Sequence, residues 1–179
     1  MDIYYTSVGR NSNLLLNVPP DQSGRIHSID STRLMEFRKA REEAFSHNLI
    51  TGAIVKSGNT RNNTLKYAAK NVIDGNYDTY WTTNDNVLNS WLEIDLKKPK
   101  TFNRLLLKEY IPLGQRVSSF NVKYWDTKTK SWTDLIQATT IGYKRILRFP
   151  SISAQKLRIE FNALACPVIN TVGIYKSSE

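Results

Sequence analysis

Two loops in the second half of the chain hold the residue types that bind sugars. Glu109, Tyr110, Gln115 and Arg116 belong to the segment around Ile111-Pro112-Leu113-Gly114, and Tyr143, Lys144 and Arg145 follow one another in a later loop. Sugar recognition needs an aromatic ring against the pyranose face and a few polar groups that fix its hydroxyls. The planar fork of arginine suits both vicinal hydroxyls and carboxylates. Residues 101–109 and 117–126 read as successive strands of opposite direction, so Glu109 and Arg116 stand at the two mouths of one loop. The expectation is that Arg116, Tyr143 and Arg145 meet at one end of the fold, with Glu109 pairing one of the two arginines. The ligand-binding set is then Glu109, Tyr110, Gln115, Arg116, Tyr143 and Arg145. An internal Glu109–Arg ion pair and a docking surface for another domain fit the same residues, and binding and docking stand level.

A second cluster is Asp74-Gly75-Asn76-Tyr77-Asp78-Thr79. Short oxygen-bearing side chains in a turn are what Ca²⁺ takes, which makes Asp74, Asn76 and Thr79 the candidate metal ligands and a structural calcium the one candidate cofactor. An Asp-Gly turn with Asp74 bonded to local amides explains the same residues. Elsewhere the chemistry is thin. His27 and His47 lie near helix ends, and His27-Ser28 beside Asp30 reads as a cap rather than a triad. Cys166, the single cysteine, excludes an internal disulfide and reads as a small buried hydrophobe. Gly9, Gly24 and Gly52 form no phosphate loop.

The elements that position these residues fall into two parts. Residues 1–50 hold six basic and six acidic residues, so the whole net charge of +9 and all four tryptophans lie after residue 50. In the first part, Asn13-Leu14-Leu15-Leu16-Asn17-Val18 is an unalternating apolar run, the pattern of a strand buried on both faces. Pro19-Pro20-Asp21 ends it, and Asp30 is placed to cap a helix running to about Phe45. Leu34, Phe37, Arg41, Ala44 and Phe45 share one face of that helix. One strand and one helix make no core, so this part reads as the end of something larger and is expected to add little to the stability of the rest.

Residues 51–179 alternate with period two. Leu92, Ile94 and Leu96 interleave with Trp91, Glu93 and Asp95; Phe120, Val122 and Tyr124 with Asn121 and Lys123; Leu157, Ile159 and Phe161 with Arg158 and Glu160. Turn signals every ten or so residues make this an antiparallel β-sandwich, with a polar hairpin between Trp125 and Trp132. The nineteen basic residues of this part are spread along many strands rather than gathered in a stripe with stacking aromatics, which argues against nucleic acid. No apolar run reaches the roughly 18 residues of a membrane span. Met1-Asp2-Ile3-Tyr4-Tyr5 carries no basic n-region and is not read as a signal peptide.

Two resemblances rest on these residues. Asp74-Gly75-Asn76-Tyr77-Asp78-Thr79-Tyr80-Trp81, with Trp91-Leu92-Glu93-Ile94-Asp95-Leu96, resembles the discoidin or coagulation-factor type C domain over most of residues 65–176. That family implies a mainly β fold, an eight-stranded antiparallel jelly roll that often binds sugars, with Trp81 and Trp91 in its core. It also implies a calcium at the 74–79 loop, helped by a glutamate from the last strand where this chain has Thr171. The second resemblance runs from Ser7-Val8-Gly9-Arg10-Asn11 through Leu14-Leu15-Leu16-Asn17-Val18-Pro19-Pro20-Asp21 and the helix that follows. This stretch is similar to the last strand and helix of the (β/α)8 barrel in α-L-fucosidases of glycoside hydrolase family 29, some of which carry such a sandwich directly after the barrel. Gly114-Gln115-Arg116 and residues 139–145 fit the sandwich motifs of those enzymes.

The resemblance implies a C-terminal piece: residues 1–50 the end of a catalytic barrel, residues 51–179 a discoidin-like sandwich. It implies fucosylated glycan or another carbohydrate as ligand, the missing barrel as partner, and a secreted or periplasmic parent enzyme. Retaining glycosidases need a nucleophilic carboxylate and an acid/base carboxyl about 5 Å apart, and the family's nucleophile sits on an earlier barrel strand. Asp2, Asp21, Asp30, Glu36, Glu42 and Glu43 all read as turn, cap or helix-surface residues, so the chain is not expected to be catalytic by itself. A free-standing discoidin-type carbohydrate-binding or adhesion module is the alternative.

Overall fold

The alternation seen in the sequence is the alternation that fills the core. In the computed structural model, which describes residues 1–178, Leu92, Ile94, Phe120, Val122, Leu157 and Ile159 all point into one cluster and are fully buried. Their intervening neighbours face outward, as a period of two requires. The strands are β1 (Ile54–Ser57), β2 (Trp81–Thr82), β3 (Asn89–Glu109), β4 (Val117–Asp126), β5 (Ser131–Ala138), β6 (Arg145–Ala163) and β7 (Val168–Tyr175). All pair antiparallel, in the order β2-β7-β3-β6-β4-β5, with β1 on β3. Two helices precede them, α1 (Asp2–Thr6) and α2 (Ser28–Phe45).

β3 and β6 are long enough to serve twice. The first half of β3 pairs with β1 through Ile94↔Val55 and with β6 through Leu92↔Ile159. The register then shifts between Asp95 and Lys100, where Lys97 takes a positive φ of 66°. Beyond that break, Leu105 pairs with Leu147 of β6 and Ile174 of β7. Leu92 and Leu105 thus come from different halves of one strand and meet in the same core. The Trp125↔Trp132 pair closes the expected β4–β5 hairpin.

Four expectations change. Residues 13–18 form no strand: the segment is extended but unpaired, and Leu15 is 95% exposed. A continuous apolar run becomes a strand only when neighbours bond its backbone and cover both faces, and no described strand does so. Helix α2 starts earlier than Asp30, at Ser28, and its cap is His27, whose Nδ1 accepts from the Ile29 amide at 3.3 Å. Trp91 is not a core residue like Trp81. It lies on the outer face, with the Arg158 guanidinium 4.8 Å from its ring centroid and Gly58 packed so closely that a Cβ there would sit 2.7 Å from Nε1.

The fourth change is the largest. Residues 1–50 are docked. Leu106 and Ile146 face away from the main core, and Tyr4, Tyr5, Phe37 and Phe45 cover them. Phe45 stands edge-on to Tyr175 of β7 at 5.1 Å. Arg104 and Arg148 are directly opposite across β3 and β6, an arrangement of like charges that costs stability unless something intervenes. The Tyr5 ring intervenes, 5.2 Å from one guanidinium and 4.6 Å from the other. Asp2 pairs with Arg148, and that bond holds the Asp2 carboxyl below its usual range. The link to the sandwich continues through Asn48, whose Oδ1 accepts from the amides of Ile50 and Ile174.

Phe45→Ala removes ring contacts with Tyr4, Tyr5 and Tyr175. For a half-buried phenylalanine the expected loss is about 2–3 kcal/mol, a fall of about 4–12 °C in thermal midpoint for a chain of this size. Circular dichroism melting of the variant measures it, and an unchanged midpoint would mean that the first fifty residues ride loosely on the sheet.

Candidate functional site

Glu109 is where the loops converge. Counting in twos from Leu105 and Leu107 puts residue 109 on the inward face, and its side chain is 0% exposed. A buried carboxylate is costly unless hydrogen bonds replace its water. Three backbone amides do so: Oε1 accepts from Arg116 at 2.7 Å and Val117 at 2.9 Å, and Oε2 accepts from Gly142 at 2.7 Å. The Glu109 amide donates back to the Gly142 carbonyl at 2.9 Å. Burial pushes the Glu109 carboxyl up from its ordinary range, and the amides of Arg116, Val117 and Gly142 and the charge of Arg116 pull it down.

The expected ion pair is therefore replaced by amide contacts. Arg116 meets Glu109 through its backbone, because the short loop closed by Ile111–Leu113 and Gly114 (φ 88°) brings its amide, not its guanidinium, over the carboxylate. The guanidinium turns outward. Its Nη1 donates to the Cys166 carbonyl at 3.0 Å and to Cys166 Sγ at 2.8 Å, and its Nε to the Leu113 carbonyl at 3.2 Å. Arg61 also reaches Cys166 Sγ, at 3.2 Å, and pairs with Asp85. Arg61, Asp85 and Cys166 are thus part of this end of the fold, from segments with no local motif that marks them.

The structure brings Gln115, Tyr143 and Arg145 together through the first part of the chain. Asn11 Nδ2 donates to Gln115 Oε1 at 3.4 Å, and Asn11 Oδ1 accepts from the Tyr143 amide at 2.7 Å. Arg10 bridges Arg145 in the backbone ladder, and the Ile146 amide donates to the Gly9 carbonyl at 2.8 Å. Gly142 is required here: its φ is +65°, and a Cβ would lie 2.3 Å from Asn11 Nδ2. Tyr143 is 51% exposed, with Lys108 Nζ 5.4 Å from its ring centroid. Tyr110 stands apart, stacked on Tyr80 at 4.6 Å, with Tyr77 and Tyr67 extending the row.

The seam is strongly basic. Lys108 and Lys144 both have their ammonium pKa lowered by burial, Lys144 further by Lys108 and Arg41. Burial and then Arg10 lower Arg145 in the same way, and its buried Nε has no partner. Among the described residues no acidic side chain forms a salt bridge with Arg10, Arg41, Lys108, Lys144 or Arg145.

The 74–79 loop closes on itself. Asp74 Oδ1 accepts from the Asn76 amide at 2.8 Å, Asp74 Oδ2 lies 2.6 Å from the Thr79 hydroxyl, and Asn76 Oδ1 accepts from the Asp78 amide at 3.0 Å. Asn170 of β7 donates to the Tyr77 carbonyl at 3.2 Å and keeps a buried Oδ1 without a partner. Oxygen donors for calcium are present, with Asp74 already spent on an amide and a hydroxyl. The described residues hold no group of three or more His, Cys, Asp or Glu side chains suited to a metal, and no helix is long and apolar enough to cross a membrane.

Comparison with known proteins agrees with this architecture. Residues 71–159 match the NedA-like, galactose-binding domain of the F5/F8 type C kind, and this part of the chain is such a domain. Over 179 residues the chain is 37% identical to α-L-fucosidase 1 of Arabidopsis thaliana, covering 98% of this chain and 35% of that protein. A Ruminococcus gnavus GH29 fucosidase solved in complex with fucose superposes with a TM-score of 0.93 at 36% identity, over 99% of this chain and 36% of that one. An α-L-fucosidase structure from Bacteroides thetaiotaomicron gives 0.92 at 38% identity, over 99% of this chain and 39% of that one. The chain thus spans about a third of the length of the fucosidases it matches.

Glu109→Gln keeps the shape but sets an amide N–H₂ against the Gly142 N–H. The expected cost at neutral pH is about 1–3 kcal/mol, that of one buried donor left unsatisfied. The pH dependence has a definite sign. With its folded pKa raised, Glu109 contributes stability that is fully present below the ordinary glutamate pKa and is lost as pH rises through the folded value. Urea unfolding of wild type and variant across that window reads both effects, and a pH slope that survives unchanged in the variant would assign it to other groups.

Proposed function

We propose that this chain is the C-terminal accessory part of an α-L-fucosidase. On this reading residues 1–50 are the last strand and helix of a (β/α)8 catalytic barrel, and residues 51–179 are a jelly-roll sandwich in which β3 and β6 cross from one layer to the other. The observation that carries it is the unpaired apolar run. Leu15 is 95% exposed and Leu16 and Ile3 are also open to solvent, in a chain that aligns end to end with about 35% of the length of its fucosidase relatives. An exposed run of this kind marks a surface that another domain covers.

The loop cluster then serves docking more than ligand capture. Glu109, Gln115 and Arg116 spend their side-chain polar groups on the fold or on Asn11, Arg145 meets Arg10 through its backbone, and Tyr143 offers the one open ring of the six. The uncompensated Arg10, Arg41, Lys108, Lys144 and Arg145 favour an acidic surface on the barrel, which attracts them and fixes the register of docking. Catalysis belongs to the barrel. Asp134 and Glu160 lie near each other because both approach Lys123, at 3.9 and 2.9 Å, but they sit on an outer sheet face with that ammonium between them, not flanking a sugar. The sandwich steadies the barrel and contributes carbohydrate binding, with fucosylated glycan as the substrate class of the whole enzyme. Asp74, Asn76 and Thr79, with Asn170 beside them, remain the place for a structural calcium.

Leu15→Asp separates the docked from the isolated state. In a protein carrying a fucosidase barrel ahead of residue 1, the substitution is expected to cost about 2–4 kcal/mol through lost apolar burial and a buried charge. In the 179-residue chain it should fall within about 0.5 kcal/mol of wild type, as surface changes do. Differential scanning calorimetry of the two pairs makes the comparison; the same effect in both would contradict the reading.

A further inference from the structure

The sandwich has a second outer face, away from residues 1–50. It is built by the outward residues of β3, β6, β4 and β5: Trp91 pairs with Glu160, Glu160 with Asn121, and Asn121 with Gln137. One row nearer the loops, Ser119 pairs with Asn162. We propose that the cavity on this face, formed by Ser119, Asn121, Gln137, Thr139 and Asn162, is a binding site for one residue of a neutral sugar. The proposal rests on the carbohydrate-binding reading above and gives it a location outside the loop cluster.

The cavity measures about 380 Å³, within the roughly 300–1,000 Å³ of small-molecule sites. Its polar side chains are three amides and two hydroxyls, and no charged side chain lines it. Amides and hydroxyls together present donors and acceptors side by side, which is what a sugar hydroxyl, donating and accepting at once, needs. The nearest charges are matched, since Lys123 stands between Asp134 and Glu160. The site therefore gives no preference to an anion, despite the chain's net charge of +9.

Asn121 supplies the independent sign of an absent partner. Its Nδ2 donates to Asp134 Oδ1 at 2.5 Å. The opposite amide orientation would set a carbonyl against a carboxylate, so the position of Oδ1 is fixed. That Oδ1 is buried and has no hydrogen-bond partner. A buried acceptor left unmet is expensive, and such atoms in native folds point to a water or a ligand. Asn162 Nδ2 donates to Ser119 Oγ at 3.2 Å, which orients this pair while leaving the Ser119 hydroxyl proton and Asn162 Oδ1 for a ligand; the Asn162 backbone carbonyl accepts from the Ser118 hydroxyl at 3.0 Å. Phe120 and Ala138, whose side chains belong to the core side, floor the cavity. The outer face of β3 and β6 that carries Leu106 and Ile146 is occupied by α1 and α2, so this site stays open while the seam is docked.

The test is a titration of the ¹⁵N-labelled 179-residue chain with D-galactose and, separately, with L-fucose. The expected result is that one of them moves the amide resonances of Ser119, Asn121, Gln137 and Asn162 together. Asn121→Ala should weaken that binding about tenfold, the value of one hydrogen bond near 1.4 kcal/mol. Gln137→Ala, which breaks no bond within the protein, should weaken it with an unchanged melting temperature. Sugar binding that leaves these resonances still, or that both variants retain at full affinity, would overturn the site while the carbohydrate-binding reading stands. Wild-type protein that responds to neither sugar would overturn both.

Discussion

The end of the sandwich is held by one carboxylate serving three amides. Glu109 closes β3, and its two oxygens collect the N–H groups that begin β4 and the one that precedes β6. The three belong to two loops far apart in sequence, and Glu109 ties those loops together. Burial alone would make the charge intolerable, and the amides alone would leave the loops frayed. Together they make a rigid corner. Gly142 must then take a positive φ, and that conformation opens the space into which Asn11 inserts.

From that corner the molecule divides its surfaces. One outer face, with the Leu106–Ile146 pair one row along from the Arg104–Arg148 pair, is covered by tyrosines and phenylalanines of the first fifty residues. Those residues in turn leave Leu15, Leu16 and Met35 to solvent. The covering layer is bonded to the sandwich on one side, and on the other it sets these apolar side chains beside the exposed ion pairs of α2. The second outer face carries Trp91, Arg158 and Trp132 in a stack, with the Arg158 guanidinium 4.8 and 4.5 Å from the two rings, and beside it the amide-lined cavity.

The sandwich was legible because period-two alternation is local. Leu92, Ile94 and Leu96 name the inward face without help from the rest of the chain, and the same parity puts Trp91 outside, where family resemblance alone would have buried it. Parity also buries Glu109, two residues past Leu107, and sends its neighbour Lys108 to the opposite face, so the buried acid must find its partners elsewhere. The docking of residues 1–50 was not legible. Tyr4 and Tyr5 sit in a helix of five residues, too short to show a period, and their partners Arg104 and Arg148 lie about a hundred or more residues away. The run at 13–18 was read as a strand because its composition demands burial on both faces. That composition still stands against an exposed backbone, since no described strand pairs with the run and Leu15 lies open to solvent. Asn121 was assigned only its strand face, since an unmet acceptor becomes visible only once every neighbour is placed.

The central claim is that residues 1–50 form a layer between the sandwich and a catalytic barrel. Hydrogen–deuterium exchange of the 179-residue chain, compared with the same residues in a protein that carries a fucosidase barrel ahead of them, tests it most directly. The account predicts that the barrel slows exchange of the amides of residues 13–18, which bond to no described strand in the shorter chain. It predicts little change in the amides of β4 and β5 behind the second face. Equal exchange of residues 13–18 in both proteins would contradict it.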